Sequence, residues 1–349
     1  NVTASGTINL NGGDLTVTGD TTASGTINLN GGDHSTTNLT VSGTLVATAA
    51  AETITVAGNI DFSTAGDNFT EATNTTIVMA SGTTPVTIDA TGDSGFNNLS
   101  IGKALGTDQV QLLSDLALSG NLTVSTGTLV LNGNTLTLGT DLTVNSAAAT
   151  IAIGTGTLDG ATNGRSVTLT SGTITQSTGT FSGANFTVNG GTFTSTGAGT
   201  LSLSGAIAVS SGTLTLNGAT VSCAGLSQTG GTINADTASI TSSGNVAVTA
   251  GTFNEVTSTL TMTGAGTTVR FTAPNQPNNL VINSAGTVSI DTDDLTVGGN
   301  LNVVAGTFET NGTSLAVTGN ATVSGTLTGS AAPDAITVGG NVTASGTIN

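Results

Sequence analysis

Gly120-Asn121-Leu122-Thr123-Val124 is followed by Gly127-Thr128-Leu129, then by Asn132-Gly133, then by Thr135-Leu136-Thr137-Leu138-Gly139; Asp141-Leu142-Thr143-Val144 restarts the pattern. From Leu122 to Leu142 the step is 20 residues. Within each short segment apolar and polar residues alternate, the period-two signature of a strand with one buried face. Gly, Asn and Asp stand between the segments and tolerate the positive φ that corners require. Three strands and three corners in about twenty residues describe one coil of a parallel β-solenoid, with coils stacked about 4.8 Å apart. A β-propeller blade needs about twice this period.

The register continues outward through Val167, Phe186, Ile207, Leu226 and Val246, in steps of 19, 21, 19 and 20 residues. Leu301, Ala321 and Val342 follow in steps of 20 and 21, and Ala4 and Ala23 open matching segments 19 apart. This spacing predicts one buried column of Leu122, Leu142, Val167, Phe186, Ile207, Leu226, Val246, Leu280 and Leu301. A coarser repeat lies over the rungs: Phe69 to Met79 matches Phe253 to Met262, and Asn97-Asn98-Leu99 matches Asn278-Asn279-Leu280. From Val246 to Leu280 is 34 residues, with Arg270, Pro274 and Pro277 inside. Pro removes a ladder donor. Looped inserts are therefore expected near 80–97 and 263–279, with Lys103 just beyond the first.

Asn1 to Asn9 and Asn341 to Asn349 are the same nine residues, offset by 340. The expected organisation is one continuous solenoid segment over 1–349, a repeat unit of period 340 in a longer chain. Copies of itself joined head-to-tail are the expected partners.

Composition narrows the function. Only 7% of residues are charged, 36% are hydrophobic, Trp and Tyr are absent and Phe numbers nine. That fits a thin aliphatic core. Net charge is −17, with Lys103, Arg165 and Arg270 the only basic residues besides His34. A nucleic-acid surface needs cationic contacts to phosphate that this chain cannot supply. Membrane insertion through a helix is not expected, since no apolar run approaches about 18 residues. Cys223 is alone, which rules out a disulfide within the chain.

The Gly-Thr-apolar and Gly-Asn-Leu-Thr-Val rungs resemble the repeats of filamentous-haemagglutinin-type adhesins. Phe96-Asn97-Asn98-Leu99-Ser100-Ile101, followed by Gly120 to Val124, is similar to β-strand-repeat modules of large secreted bacterial surface proteins. The resemblance implies an all-β fold, a single right-handed parallel β-helix of 19–21 residues and three short strands per coil. It also implies an extracellular or cell-surface place and a role in adhesion or as a structural fibre. The expected function is a non-catalytic fibre or stalk. One alternative is an adhesin that binds glycans or other surface ligands through the inserts. Another is ice binding through a flat Thr-rich face, since Thr143, Thr168, Thr187 and Thr322 share one rung position, interrupted by Ala247 and Asn302.

No catalytic or cofactor-binding set is expected. Asp291-Thr292-Asp293-Asp294 is the densest acidic cluster, and Asp291, Asp293 and Asp294 are the candidate Ca²⁺ ligands through carboxylate oxygens. A solvated corner is the preferred reading, because the equivalent Ser114-Asp115 lacks the cluster. His34 follows Gly31-Gly32-Asp33 where the preceding repeat reads Gly-Gly-Asp-Leu; it is expected at an exposed corner. Cys223 is expected to act as a small buried apolar residue. Asn38, Asn121, Asn185, Asn320 and Asn341 lie in Asn-apolar-Thr triplets, which read either as sugar acceptors or as corner residues stacked in amide ladders.

Overall fold

The computed structural model describes residues 1–47, 51–64, 69–80, 82, 84–92, 95–330 and 335–349. Among them every regular element is a strand, and the fold is an all-β parallel β-solenoid without helices. By contacts the chain divides into two units, Asn1–Ser182 and Gly183–Asn349. In both, each strand pairs in parallel with the strand about one coil later.

The first unit has three ladders. One runs from Val2–Ala4 through Thr21–Ala23, Leu39–Val41, Ile60–Asp61, Val86–Asp89 and Gln109–Leu112 to 127–130, Ala149–Gly154 and Thr173–Gln176. The second side carries Thr7–Asn9, Thr26–Asn28, Thr44–Ala47 and Phe69–Glu71 as a four-stranded sheet of its own, and Leu116–Ala117, Thr135–Thr137, Thr157–Asp159 and 180–182 as a separate run. The third takes Leu15–Thr16, His34–Thr36, Thr53–Val56, Thr76–Met79, Asn98–Gly102 and 122–124, with Leu142–Val144 paired to Val167–Leu169.

Alternation sends every second residue inward. Leu129, Ile151 and Ile174 stack in successive coils, as do Leu136, Leu158 and Phe181, all fully buried. Burying one such side chain is worth about 1.5–3 kcal/mol, and the stack repeats that gain coil after coil. Aromatic rings also meet in the core. Phe62, Phe69 and Phe96 meet at centroid distances of 5.6–6.0 Å; in the second unit Phe253 meets Phe271 edge-on at 5.2 Å.

In the second unit the rung motif stands on two different ladders. The ladder through Phe186, Ile207, Leu226 and Val246 continues to Val269 and Ile290. Leu280 and Leu301 lie on another ladder, after Val221, Ile240 and Leu260 and before Ala321 and Val342. The expected single column is thus corrected: all nine residues are buried, but Val246 is followed by Val269, and Leu280 is preceded by Leu260. The physical reason is that all sides ask for the same pattern, aliphatic inward and hydroxyl outward. A rung motif therefore does not encode which side it occupies; the count of strands before it does.

The expected inserts are corrected in part for the same reason. Thr267–Phe271 is a ladder strand inside 263–279, and within that range only 263–266 and 272–278 lie outside the strands, the latter carrying Pro274 and Pro277. Within 80–97, Val86–Asp89 is likewise in its ladder, with Ile88 between Ile60 and Leu112. Ser81, Thr83, Asp93 and Ser94 fall outside the described residues.

The Gly-Asn dipeptide of the rung has a structural cause. Asn185 Oδ1 accepts the Ala206 N–H of the next coil at 2.9 Å. Asn279, Asn300 and Asn320 do the same for Asn300, Asn320 and Asn341, at 3.1, 2.9 and 2.8 Å. In the first unit Asn38, Asn59 and Asn98 accept from Asn59, Thr87 and Asn121. The Gly before the next coil's corner makes room for that amide: a Cβ on Gly205 would stand 2.2 Å from Asn185 Oδ1. Asn38, Asn185 and Asn320 of the triplets are thus corner residues, accepting a backbone N–H where amide-on-amide stacking was the expectation.

Candidate functional surface and buried polar groups

Outward positions of the strands carry the chain's hydroxyls in register. In the second unit Thr200, Thr220, Ser239 and Thr259 form one column. Ser202, Ser222, Thr241 and Thr261 form a second beside it, two residues further along each strand. A neighbouring side repeats the pattern with Thr192, Thr213, Thr232 and Thr252 beside Thr194, Thr215, Asn234 and Asn254. There the amides bond among themselves: Asn234 Nδ2 donates to Thr215 Oγ1 at 3.0 Å, and Asn254 Nδ2 to Asn234 Oδ1 at 2.8 Å. In the first unit the pairs Thr135/Thr137, Thr157/Asp159 and Thr180/Ser182 are interrupted by a carboxylate. These columns were only partly legible beforehand, because the position followed through Thr143, Thr168 and Thr187 is a different one, at which Thr187 is followed by Ala208, Ser227 and Ala247.

The three candidate Ca²⁺ ligands are turned to separate partners. Asp293 Oδ2 accepts Arg270 Nε at 2.8 Å and the Thr272 hydroxyl at 2.6 Å, and these bonds hold its carboxyl below the usual carboxylate range. Asp291 lies 4.0 Å from the same guanidinium. Asp294 Oδ1 accepts the Ser314 N–H at 2.8 Å, a corner contact like those of Asn. Arg270 thus supplies the positive charge at this corner. Among the described residues no three of His, Cys, Asp and Glu gather as a metal-ion site.

A groove of about 410 Å³ lies on the first unit, lined by Asp20, Asn38, Asn59, Asp61, Asp89 and Leu113 among others. Asp61 and Asp89 are register neighbours. Each carboxylate is held by a hydroxyl two residues on: Ser63 donates to Asp61 and Thr91 to Asp89, both at 2.6 Å. Leu113, 48% exposed, supplies an apolar wall.

Comparison of the chain with protein-family models, curated proteins and solved structures returns no match.

His34 is a correction. It is not at an exposed corner but in the core, 1% exposed, between Leu15 and Ile54 in the third ladder of the first unit. The aligned Leu15 was the signal: the position faces inward whatever residue fills it. Its Nδ1 lies 3.0 Å from the Leu15 carbonyl. Burial pushes the imidazole below its ordinary value of 6.5, against the opposing pull of that carbonyl. The neighbouring carboxylates are engaged at the corner, Asp14 accepting the Asp33 N–H at 3.0 Å and Asp33 the Thr53 N–H at 2.7 Å. Glu52, also buried, accepts the Gly31 N–H at 2.7 Å.

A folded-state His pKa below the unfolded one means the unfolded chain binds more protons near pH 6. Stability from a neutral His34 is therefore complete above 6.5 and lost as the pH falls below it. Melting temperature measured from pH 8 to pH 5 should fall more steeply for the natural chain than for His34→Leu. Equal slopes would show that His34 does not titrate on unfolding.

Cys223 is buried at 4% exposure, as expected of a small apolar residue, and burial raises its thiol pKa. Lys103 was not foreseen as a buried group. It is 4% exposed, and its Nζ donates to the Ala80 carbonyl at 2.7 Å and the Ala57 carbonyl at 3.4 Å. Burial lowers its pKa, and Asp108 opposes the shift.

Proposed function

We propose that this solenoid is itself the function: a non-catalytic extracellular fibre or stalk at the cell surface, built from tandem repeats with copies of the chain continuing head-to-tail. The observation that supports it is the recurrent corner device, in which an Asn side chain accepts a backbone N–H of the next coil in both units. Those coils bind their successors through side chains as well as backbone. That arrangement favours indefinite stacking over a closed active site. The internal sequence repeats and the resemblance of the rungs to secreted adhesin repeats support the same reading.

Electron microscopy of native material tests it. Long filaments of constant width are expected, with a denatured mass well above 33.5 kDa where the joining is covalent. Isolated short rods would overturn the fibre. A second reading, an adhesin, is favoured by the groove beside Asp61 and Asp89, whose paired carboxylates and exposed Leu113 suit a polyhydroxylated ligand with an apolar face. An array of neutral glycans probed with the chain and with Asp61→Asn/Asp89→Asn separates the two readings: binding lost in the variant supports the adhesin, and no binding removes it.

A further inference from the structure

We infer that the hydroxyl grid of the second unit, Thr200, Ser202, Thr220, Ser222, Ser239, Thr241, Thr259 and Thr261, is an ice-binding surface. This goes beyond the fibre reading and does not depend on it. The grid is two hydroxyls wide and four coils long, without interruption. None of its positions is charged, in a chain of net charge −17. A charge-free patch lined by groups that both donate and accept suits a neutral partner of the same hydrogen-bonding chemistry. Fatty or aromatic ligands are not favoured, because the inward residues between the hydroxyls are buried.

Two spacings decide the partner. Coils stack about 4.8 Å apart, and alternate residues along a strand are about 6.7 Å apart. A water molecule making two hydrogen bonds of about 2.8 Å at a tetrahedral angle joins groups about 4.6 Å apart. Two waters in an extended tetrahedral chain, with bonds of about 2.8 Å, reach about 7 Å. Ser222 donates directly to Ser202 at 3.5 Å; at the backbone spacing of the other steps one-water bridges fit along the columns and two-water bridges across them, so the grid is a template for a tetrahedral water lattice. Rigidity completes the argument. Each grid strand is held in the ladder, and β-branched Thr has restricted χ1 freedom, so ordering the hydroxyls costs little on contact. The other arrays are poorer templates: Asn234 and Asn254 put amides where the grid has hydroxyls, and Asp159 interrupts the first unit's grid.

Partitioning of the full chain into slowly growing polycrystalline ice tests the inference. The natural chain should be enriched at least tenfold in the ice fraction over a protein that ice excludes. Thr220→Lys and, as a second exposed position, Ser222→Lys should fall to the excluded level with unchanged circular dichroism. Ser227→Lys, exposed but on another ladder, should behave as the natural chain does. Exclusion of the natural chain from ice would overturn the proposal, as would enrichment of both folded grid variants equal to it. Exclusion from ice with retention on microcrystalline cellulose would overturn it in favour of a crystalline polysaccharide.

Discussion

Leu226→Asp should destabilise the second unit by about 3–5 kcal/mol, the cost of leaving a buried charge uncompensated. Leu226 is 4% exposed and stands in register between Ile207 and Val246. Both ladder neighbours are aliphatic, Ile207 and Val246, and no cation is paired with it in the ladder. The solenoid cannot shift the residue outward, because a one-residue slip would turn the whole strand inside out. For a unit of this size such a loss corresponds to a fall in melting temperature of about 6–20 °C. Lowering the pH should recover part of it, because the buried carboxyl titrates above its unfolded value and its protonated form is less costly to bury. Unchanged melting would mean that Leu226 does not face the core. The same substitution at Ser227, one residue on and exposed, should leave stability within about 0.5 kcal/mol.

The second large effect lies at the corners. Gly205→Ala places a methyl 2.2 Å from Asn185 Oδ1 and 2.8 Å from the Ala184 carbonyl. Relief requires the corner to move, at about 1–3 kcal/mol for overpacking of this kind. Asn185→Ala removes the acceptor of the Ala206 N–H and should cost about 1 kcal/mol. The two changes share one contact, so they should not add. In the Asn185→Ala background the amide is gone, and Gly205→Ala should cost measurably less than it does alone; the residual cost comes from the Ala184 carbonyl. Urea midpoints of the four chains measure the coupling. Strict additivity would separate the glycine from the amide and undo the explanation of the Gly-Asn dipeptide.

Much of this protein can be read from residue order alone. The period near twenty, the apolar alternation and the Gly, Asn and Asp punctuation lead to a parallel solenoid, because a strand with one aliphatic face and a corner residue tolerant of positive φ leave few other solutions. Cys223 at an inward position was legible for the same reason, and so was His34 once aligned with Leu15. The corner role of Asn was also open to reading, since the residue recurs at the start of each rung.

What the sequence alone did not decide was which rungs are neighbours. Val246 and Leu301 begin almost the same motif, yet they stand on different ladders, because the sides have the same chemical demands and only the number of intervening strands distinguishes them. The hydroxyl grid is a consequence of that neighbour order: Thr220, Ser239 and Thr259 are ordinary outward residues until stacking sets them side by side. Burial of Lys103 is decided the same way, by the carbonyls of Ala57 and Ala80 that earlier coils bring to its ammonium. Residue order determined the coil; backbone pairing between successive coils determined what each coil faces.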